Sequence, residues 1–469
     1  MKTYDQKKSR ELLDRAKKVI PGSPFCPDGG VFGHYSVSVP APGNPVYFSR
    51  SEGSRFWDVD GNEYIDYVCA YGPMILGYNH PAVDEAAREQ YLKGNTVSLA
   101  APVMVELAEE LVDMVSIADW AFFAKNGADP TNLSVMVARA ATGRKKVIVF
   151  EGFYHGSTPW MQAAGSPGTI EEDTQHVIQL TWNDYAQVER AVEENDGEVA
   201  CIISSPYHHP IVFDNEMPAE GFWQKIEALC KKKGIVLIVD DVRAGFRADL
   251  AGSNEYFGFK PDLVCFGKAL GNGYPISALV GTDALREAMT SVFFTGTQFF
   301  NAAPMAAALA TLREMKKINA PKIMLEMGQK ITDGLVGLAK DYGYDLKVTG
   351  LPSASNCATT ASTAGCSPEM TVFSGSLKTP LTPRSSCCSY TAWSRSGGAN
   401  TAAMIPLGGI CCMRRARPAT SFRASSSEKT PATQAATYSP RLWPSRASGS
   451  SPQLRQSSAR AYSRANRAG

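Results

Sequence analysis

Two residues near the middle of the chain are of types that do chemistry together. Asp240 follows the apolar run Ile235-Val236-Leu237-Ile238-Val239, and Lys268 follows Asp262-Leu263-Val264-Cys265-Phe266-Gly267. A continuous β-branched run bounded by glycine is the pattern of an interior strand of a parallel sheet, and ligands of open α/β sheets sit beyond the carboxyl ends of such strands. The pattern therefore predicts one site that holds an acid and an amine.

A lysine in that position can form a Schiff base with pyridoxal phosphate. An aspartate opposite it keeps the pyridine nitrogen protonated, so that the ring withdraws electrons from a substrate carbanion. Taken alone, the same residues also fit a helix N-cap and a solvated loop lysine. Their neighbours narrow the choice. Asp240-Asp241-Val242-Arg243-Ala244-Gly245-Phe246-Arg247 and Phe266-Gly267-Lys268-Ala269-Leu270-Gly271-Asn272-Gly273-Tyr274-Pro275 together resemble the cofactor segment of the class III aminotransferases, in that family's order and spacing.

The resemblance implies a fold-type I α/β architecture: a large domain with a mainly parallel sheet flanked by helices, and a smaller α+β domain. It implies pyridoxal 5'-phosphate as cofactor and transfer of an amino group from a primary amine or amino acid to a keto-acid acceptor. Lys268 would hold the cofactor and shuttle the proton, Asp240 would hold the ring nitrogen protonated, and Val242 would pack one ring face. An aminomutase, or an inactive truncated family member, would carry the same residues.

Three further pieces fit that reading. Lys125-Asn126-Gly127-Ala128-Asp129 lies between a strand and a helical stretch, where backbone N–H groups and the helix dipole favour an anion. By resemblance, Asn126, Gly127 and Ala128 form the phosphate cup, with Asn126 where the family usually has serine. Glu151-Gly152-Phe153-Tyr154-His155-Gly156 follows another strand. There the resemblance implies that Tyr154 stacks on the ring and that His155 backs the site. Phe294-Thr295-Gly296-Thr297 resembles the segment that reaches the phosphate of a partner subunit, which implies a homodimer with shared sites and a role for Thr297.

Two departures from the family pattern stand out. Ser204-Ser205-Pro206-Tyr207-His208-His209-Pro210 occupies the place of a frequent Glu-Pro, and Asp241 that of a frequent glutamate. Adjacent histidines point apart on an extended chain, so His208-His209 reads as loop, and no metal site is expected. Residues 67–77 resemble the substrate-side segment of glutamate-1-semialdehyde aminomutases. Combined with Asp241, Asn272 and Lys125-Asn126-Gly127, they are most similar to the fumonisin-type branch, which acts on a primary amine of a long polyol chain.

Composition sets the frame. With 469 residues, 44% hydrophobic, and a net charge of +1, the chain is long enough for a multidomain globule and gives no argument for nucleic acid or a membrane surface. No leader or spanning segment is apparent, so a cytoplasmic location is expected. The 11 cysteines lack C-x-x-C spacing. Helices are expected at residues 9–20, 81–93, 103–114, 133–141, 184–194, 219–232 and 303–317, and strands at 46–48, 55–58, 63–66, 120–124, 146–150 and 198–203. The domains expected are 1–80, an N-terminal segment contributing to the small domain and active site; 81–318, the cofactor-binding large domain; 319–353, the start of the C-terminal small domain; and 354–469.

After Ser353 the composition changes. The remainder has no Asp, only Glu369 and Glu428 as acids, and an excess of Ser, Ala, Arg, Thr and Pro. That mixture is expected to form a basic, disordered tail without a core. A shifted reading frame or missed splice site in a GC-rich gene would produce it.

Overall fold

The computed structural model describes residues 5–19, 47–210, 214–360 and 370–372. Residues 361–369 and those after 372, which hold most of the expected basic tail, lie outside this range.

Near the N-terminus, β1 (Phe48–Glu52), β2 (Arg55–Asp58) and β3 (Glu63–Ile65) form a small antiparallel sheet. The Asp60-Gly61 turn joins β2 to β3, with Gly61 at a φ of 88° that suits glycine. Asp60 also caps the helix Lys7–Val19, accepting from the Lys8 N–H at 2.6 Å, the Ser9 N–H at 3.0 Å and the Ser9 hydroxyl at 2.6 Å. One turn residue thus fixes the first helix on the hairpin.

The main sheet contains β4 (Trp120–Ala124), β5 (Lys146–Phe150), β6 (Val177–Leu180), β7 (Val199–Ser204), β8 (Val236–Asp240), β9 (Leu263–Phe266) and β10 (Ser277–Gly281). Their spatial order is β4-β10-β9-β8-β7-β5-β6. Every pair from β9 to β6 is parallel, whereas β10 runs antiparallel to both its neighbours. The carboxyl ends of β4, β5, β7, β8 and β9 therefore open on the same edge.

Every side chain of β7, β8 and β9 is buried, because helices cover both faces. Leu237, Val239, Val264 and Phe266 enter one hydrophobic cluster with Leu107, Trp223 and Leu312. Val236, Ile238, Leu263 and Cys265 enter the other, with Leu133 and Val137. Strand alternation thus divides one apolar run between two cores. The covering helices include Pro81–Lys93, Pro102–Met114, Ala128–Thr142, Tyr185–Glu194, Phe222–Lys233 and Ala302–Ile318, close to the expected spans. Two strands, β6 and β10, and the helix Ala320–Asp341 were not expected from the sequence.

Beyond that helix, β11 (Asp345–Thr349), β12 (Asn356–Thr360) and β13 (Met370–Val372) pair antiparallel in sequence order. Strand pairing thus continues past Ser353. Cys201, Cys230 and Cys265 are buried free thiols, and Cys69 is a partly buried one. No helix among the described residues is long and apolar enough to cross a membrane.

Candidate active site

Asp240 is the last residue of β8 and Lys268 lies two residues past β9, so neighbouring parallel strands deliver both to one edge. Asp240 is buried, and its carboxylate is held at both oxygens. Oδ1 accepts the Val242 N–H at 3.1 Å, while Oδ2 lies 2.7 Å from Nδ1 of the buried His155. The His155 carbonyl accepts from the Thr131 hydroxyl at 2.6 Å, and its Nε2 has no partner among the described residues. In the tautomer that carries its hydrogen on Nδ1, His155 donates to Asp240 Oδ2, which fixes the acid's orientation.

Lys268 is partly buried and has a φ of 40°, unfavourable for a side chain with a Cβ. Burial, with Arg243 and Arg247 adding to it against the pull of Asp240, pushes its amine down to about 8. A large fraction is then neutral, and nucleophilic, near pH 8.

The segment expected to cradle a phosphate has an anion site's form. Asp129 Oδ2 accepts the Lys125 and Asn126 N–H groups at 3.0 and 2.7 Å, turning the chain into the helix Ala128–Thr142 with Gly127 before it. The N–H groups of Gly127 and Ala128 have no acceptor among the described residues. Val242 closes the space beneath: a Cβ on Gly127 would lie 2.6 Å from Val242 Cγ1, and one on Gly267 3.2 Å from it. At Gly127 a side chain would force Val242 to move. The Lys125 amine, buried without a hydrogen-bond partner among the described residues, is pushed down to about 8 by burial.

Tyr154 is 63% exposed, and Thr297 lies on an exposed turn packed onto β4 through Phe299 and Phe122. Asp240, Val242, Lys268 and Gly127 are thus brought together around the strand ends, with His155 behind Asp240. Tyr154, Asn126 and Thr297 remain exposed within the single chain.

At several positions the local structure was not expected from the sequence. Residues 69–71 are consecutively left-handed, with φ of 51°, 51° and 66°, at roughly 1–2 kcal/mol each. The following Gly72 brings this loop against the Lys268 side chain, since a Cβ there would lie 3.7 Å from Lys268 Cδ. Two bonds hold the loop: Arg247 Nη2 donates to the Gly72 carbonyl, and the Leu76 N–H donates to Asn272 Oδ1 at 2.9 Å. Asp241, noted only as a departure, latches the loop after β8 by accepting the Ser253 N–H at 2.9 Å and hydroxyl at 2.6 Å, and burial raises its carboxyl to about 6. The two adjacent histidines diverge, His208 stacking on Phe153 and His209 facing Arg243. Among the described residues no cluster of three ligating side chains forms.

The sequence profile "Aminotransferase class-III" matches residues 37–362. The chain belongs to the class III aminotransferases. Its match to the family ends a little beyond Ser353. It is similar to the aminopentol aminotransferase of Sphingopyxis macrogoltabida, at 40% identity over 73% of this chain and 79% of that one. The FumI protein of Sphingopyxis sp. MTA144, solved in its PLP internal aldimine form, is 38% identical and superposes with a TM-score of 0.72 over 76% of this chain and 84% of its own. A glutamate-1-semialdehyde aminomutase of Pseudomonas aeruginosa shares the fold, with a TM-score of 0.61 at 22% identity over 76% of this chain and 85% of its own. This class III aminotransferase therefore has the fold-type I α/β architecture.

Proposed function

We propose that the chain transfers an amino group from a primary amine to a keto-acid acceptor, using pyridoxal 5'-phosphate held at the edge formed by β4, β5, β8 and β9. The observation that carries this reading is that neighbouring parallel strands deliver Lys268 and the fixed carboxylate of Asp240 to one edge. The residues fit the cofactor. Free N–H groups of Gly127 and Ala128 suit its phosphate, Val242 offers an apolar wall, and Asp240 suits a ring nitrogen. Bound pyridoxal phosphate supplies the electron sink and the carbon that carries the amino group.

Lys268 would hold the cofactor through its neutral amine and would move a proton at its Nζ. Asp240, oriented by His155, holds a positive charge on the ring nitrogen. Tyr154 would close the site against water, with Val242 as its apolar wall. Thr297 serves the phosphate of a second subunit, so the working form is a homodimer, and the cell compartment is the cytoplasm. Residues 1–80 contribute to the small domain and site, 81–318 form the cofactor domain, and 319–353 begin the small domain.

Incubating the purified protein with pyridoxal phosphate, a long-chain primary amine and pyruvate tests the reaction. Stoichiometric formation of alanine is expected, whereas isomerisation of a single amino substrate without pyruvate consumption would replace this reading by an aminomutase. The pH dependence tests Lys268. Capture of the cofactor by the cofactor-free protein should quicken roughly tenfold per pH unit up to about 8 and then level, because the amine is neutral above that point. A rise continuing toward pH 10 would contradict it.

A further inference from the structure

The loop after β8 carries two guanidiniums, Arg243 and Arg247, that form no ion pair among the described residues. Arg243 Nη1 donates to the His209 carbonyl at 2.5 Å and lies 3.2 Å from His209 Nδ1. Burial, and then Arg243, holds His209 well below the usual histidine range, so its neutral ring accepts from the guanidinium. Arg243 makes no ion pair among the described residues, and its Nε and Nη2 donors have no partner there. Arg247 donates to the Arg243 carbonyl at 2.9 Å and to the Gly72 carbonyl; it forms no ion pair among the described residues, and Asp241 favours its charge from a distance. The nearby acids are engaged elsewhere, Asp240 with His155 and Val242 and Asp241 with Ser253.

A partly buried, unneutralised guanidinium is costly unless an anion arrives to pair with it. The phosphate cradle is on β4, at the far side of β9 and β10 from β8, and Val242 faces it; Arg243 instead reaches toward β7. Its planar fork matches a carboxylate through two parallel bonds. Of the two proposed substrates, only the keto acid must carry a carboxylate.

We infer that Arg243, held in place by His209, receives the carboxylate of the keto-acid acceptor. This rests on the aminotransferase reading. It gives one site a way to take a neutral-chain amine in one half-reaction and an anionic acceptor in the other.

The test uses the cofactor-loaded enzyme and the variants Arg243→Met and Arg243→Lys. In Arg243→Met, the KM for pyruvate should rise at least about tenfold, while half-reaction rates with propanal, which lacks the carboxylate, should change less than about twofold. Arg243→Lys, retaining charge without the fork, should fall between. By calorimetry, propionate should bind the native protein and bind Arg243→Met at least about tenfold more weakly, a readout independent of turnover. Unchanged pyruvate KM and propionate binding would overturn the inference. So would a parallel loss with pyruvate and propanal, or loss of the cofactor's absorbance in Arg243→Met, which would assign Arg243 to the cofactor. Failure of native enzyme to take up cofactor or consume pyruvate would instead remove the aminotransferase reading, and unchanged propionate binding would still decide against Arg243.

Discussion

Strands β7, β8 and β9 bury every side chain, whereas the 22-residue helix Ala320–Asp341 buries only Ala320, Pro321 and Thr332. Ile323, Met327, Ile331, Val336 and Leu338 on that helix are exposed. Both regions are rich in apolar residues. The difference lies in what covers them: two layers of helix enclose the strands, and β11 with its neighbours covers only part of the helix. The candidate site stands on the enclosed region, so its inner residues are fixed by the chain itself.

The largest effects should come from the enclosed side. Lys268→Ala should abolish amino transfer while leaving the cofactor bound through the phosphate cradle, as judged by filtration and absorbance. Asp240→Asn should keep the fold by circular dichroism yet lower kcat roughly 10²–10³-fold, the range for losing one preorganised electrostatic group. Native-like turnover in that variant would separate the acid from the chemistry.

Stability should divide along the same line. Ile238→Ala, in the middle of β8, should cost about 2–5 kcal/mol by the large-to-small core rule, while the exposed Ile331→Ala should cost under about 0.5 kcal/mol. Equal losses in urea melts would mean that a partner or another part of the chain covers the helix. The smallest experiment needs only nucleotide sequence. Reading the gene beyond the codon for Ser353 in the other two frames should reveal a segment with ordinary Asp and Glu content, and a chain carrying it should be more soluble than the 469-residue one. If neither frame reads sensibly and the present chain is a stable dimer, residues 354–469 are genuine.

Much of the enclosed region was legible because its signals are local. Ile235-Val236-Leu237-Ile238-Val239 reads as a buried strand, and a strand end projects whatever follows it, here Asp240 and Lys268. The helix Pro81–Lys93 was predicted at its observed bounds because His80-Pro81 starts it and Gly94 stops it. Strand β10 was missed because Ser277-Ala278-Leu279-Val280-Gly281 is short and follows a glycine-rich turn; its direction is set by pairing with β4 and β9. The Arg243–His209 contact joins residues 34 positions apart, and no sequence spacing shows which guanidinium lacks an acid. The left-handed residues 69–71 were hidden likewise, since Cys69 and Tyr71 carry no turn signature.

The central claim is that Lys268 is the amine that holds the cofactor. Borohydride reduction of the cofactor-loaded protein, followed by proteolysis and mass mapping, tests it directly. The account predicts one phosphopyridoxyl group per chain, on the peptide containing Lys268. An adduct on Lys125, whose amine is also buried and lowered, or scattered labelling of surface lysines, would contradict it.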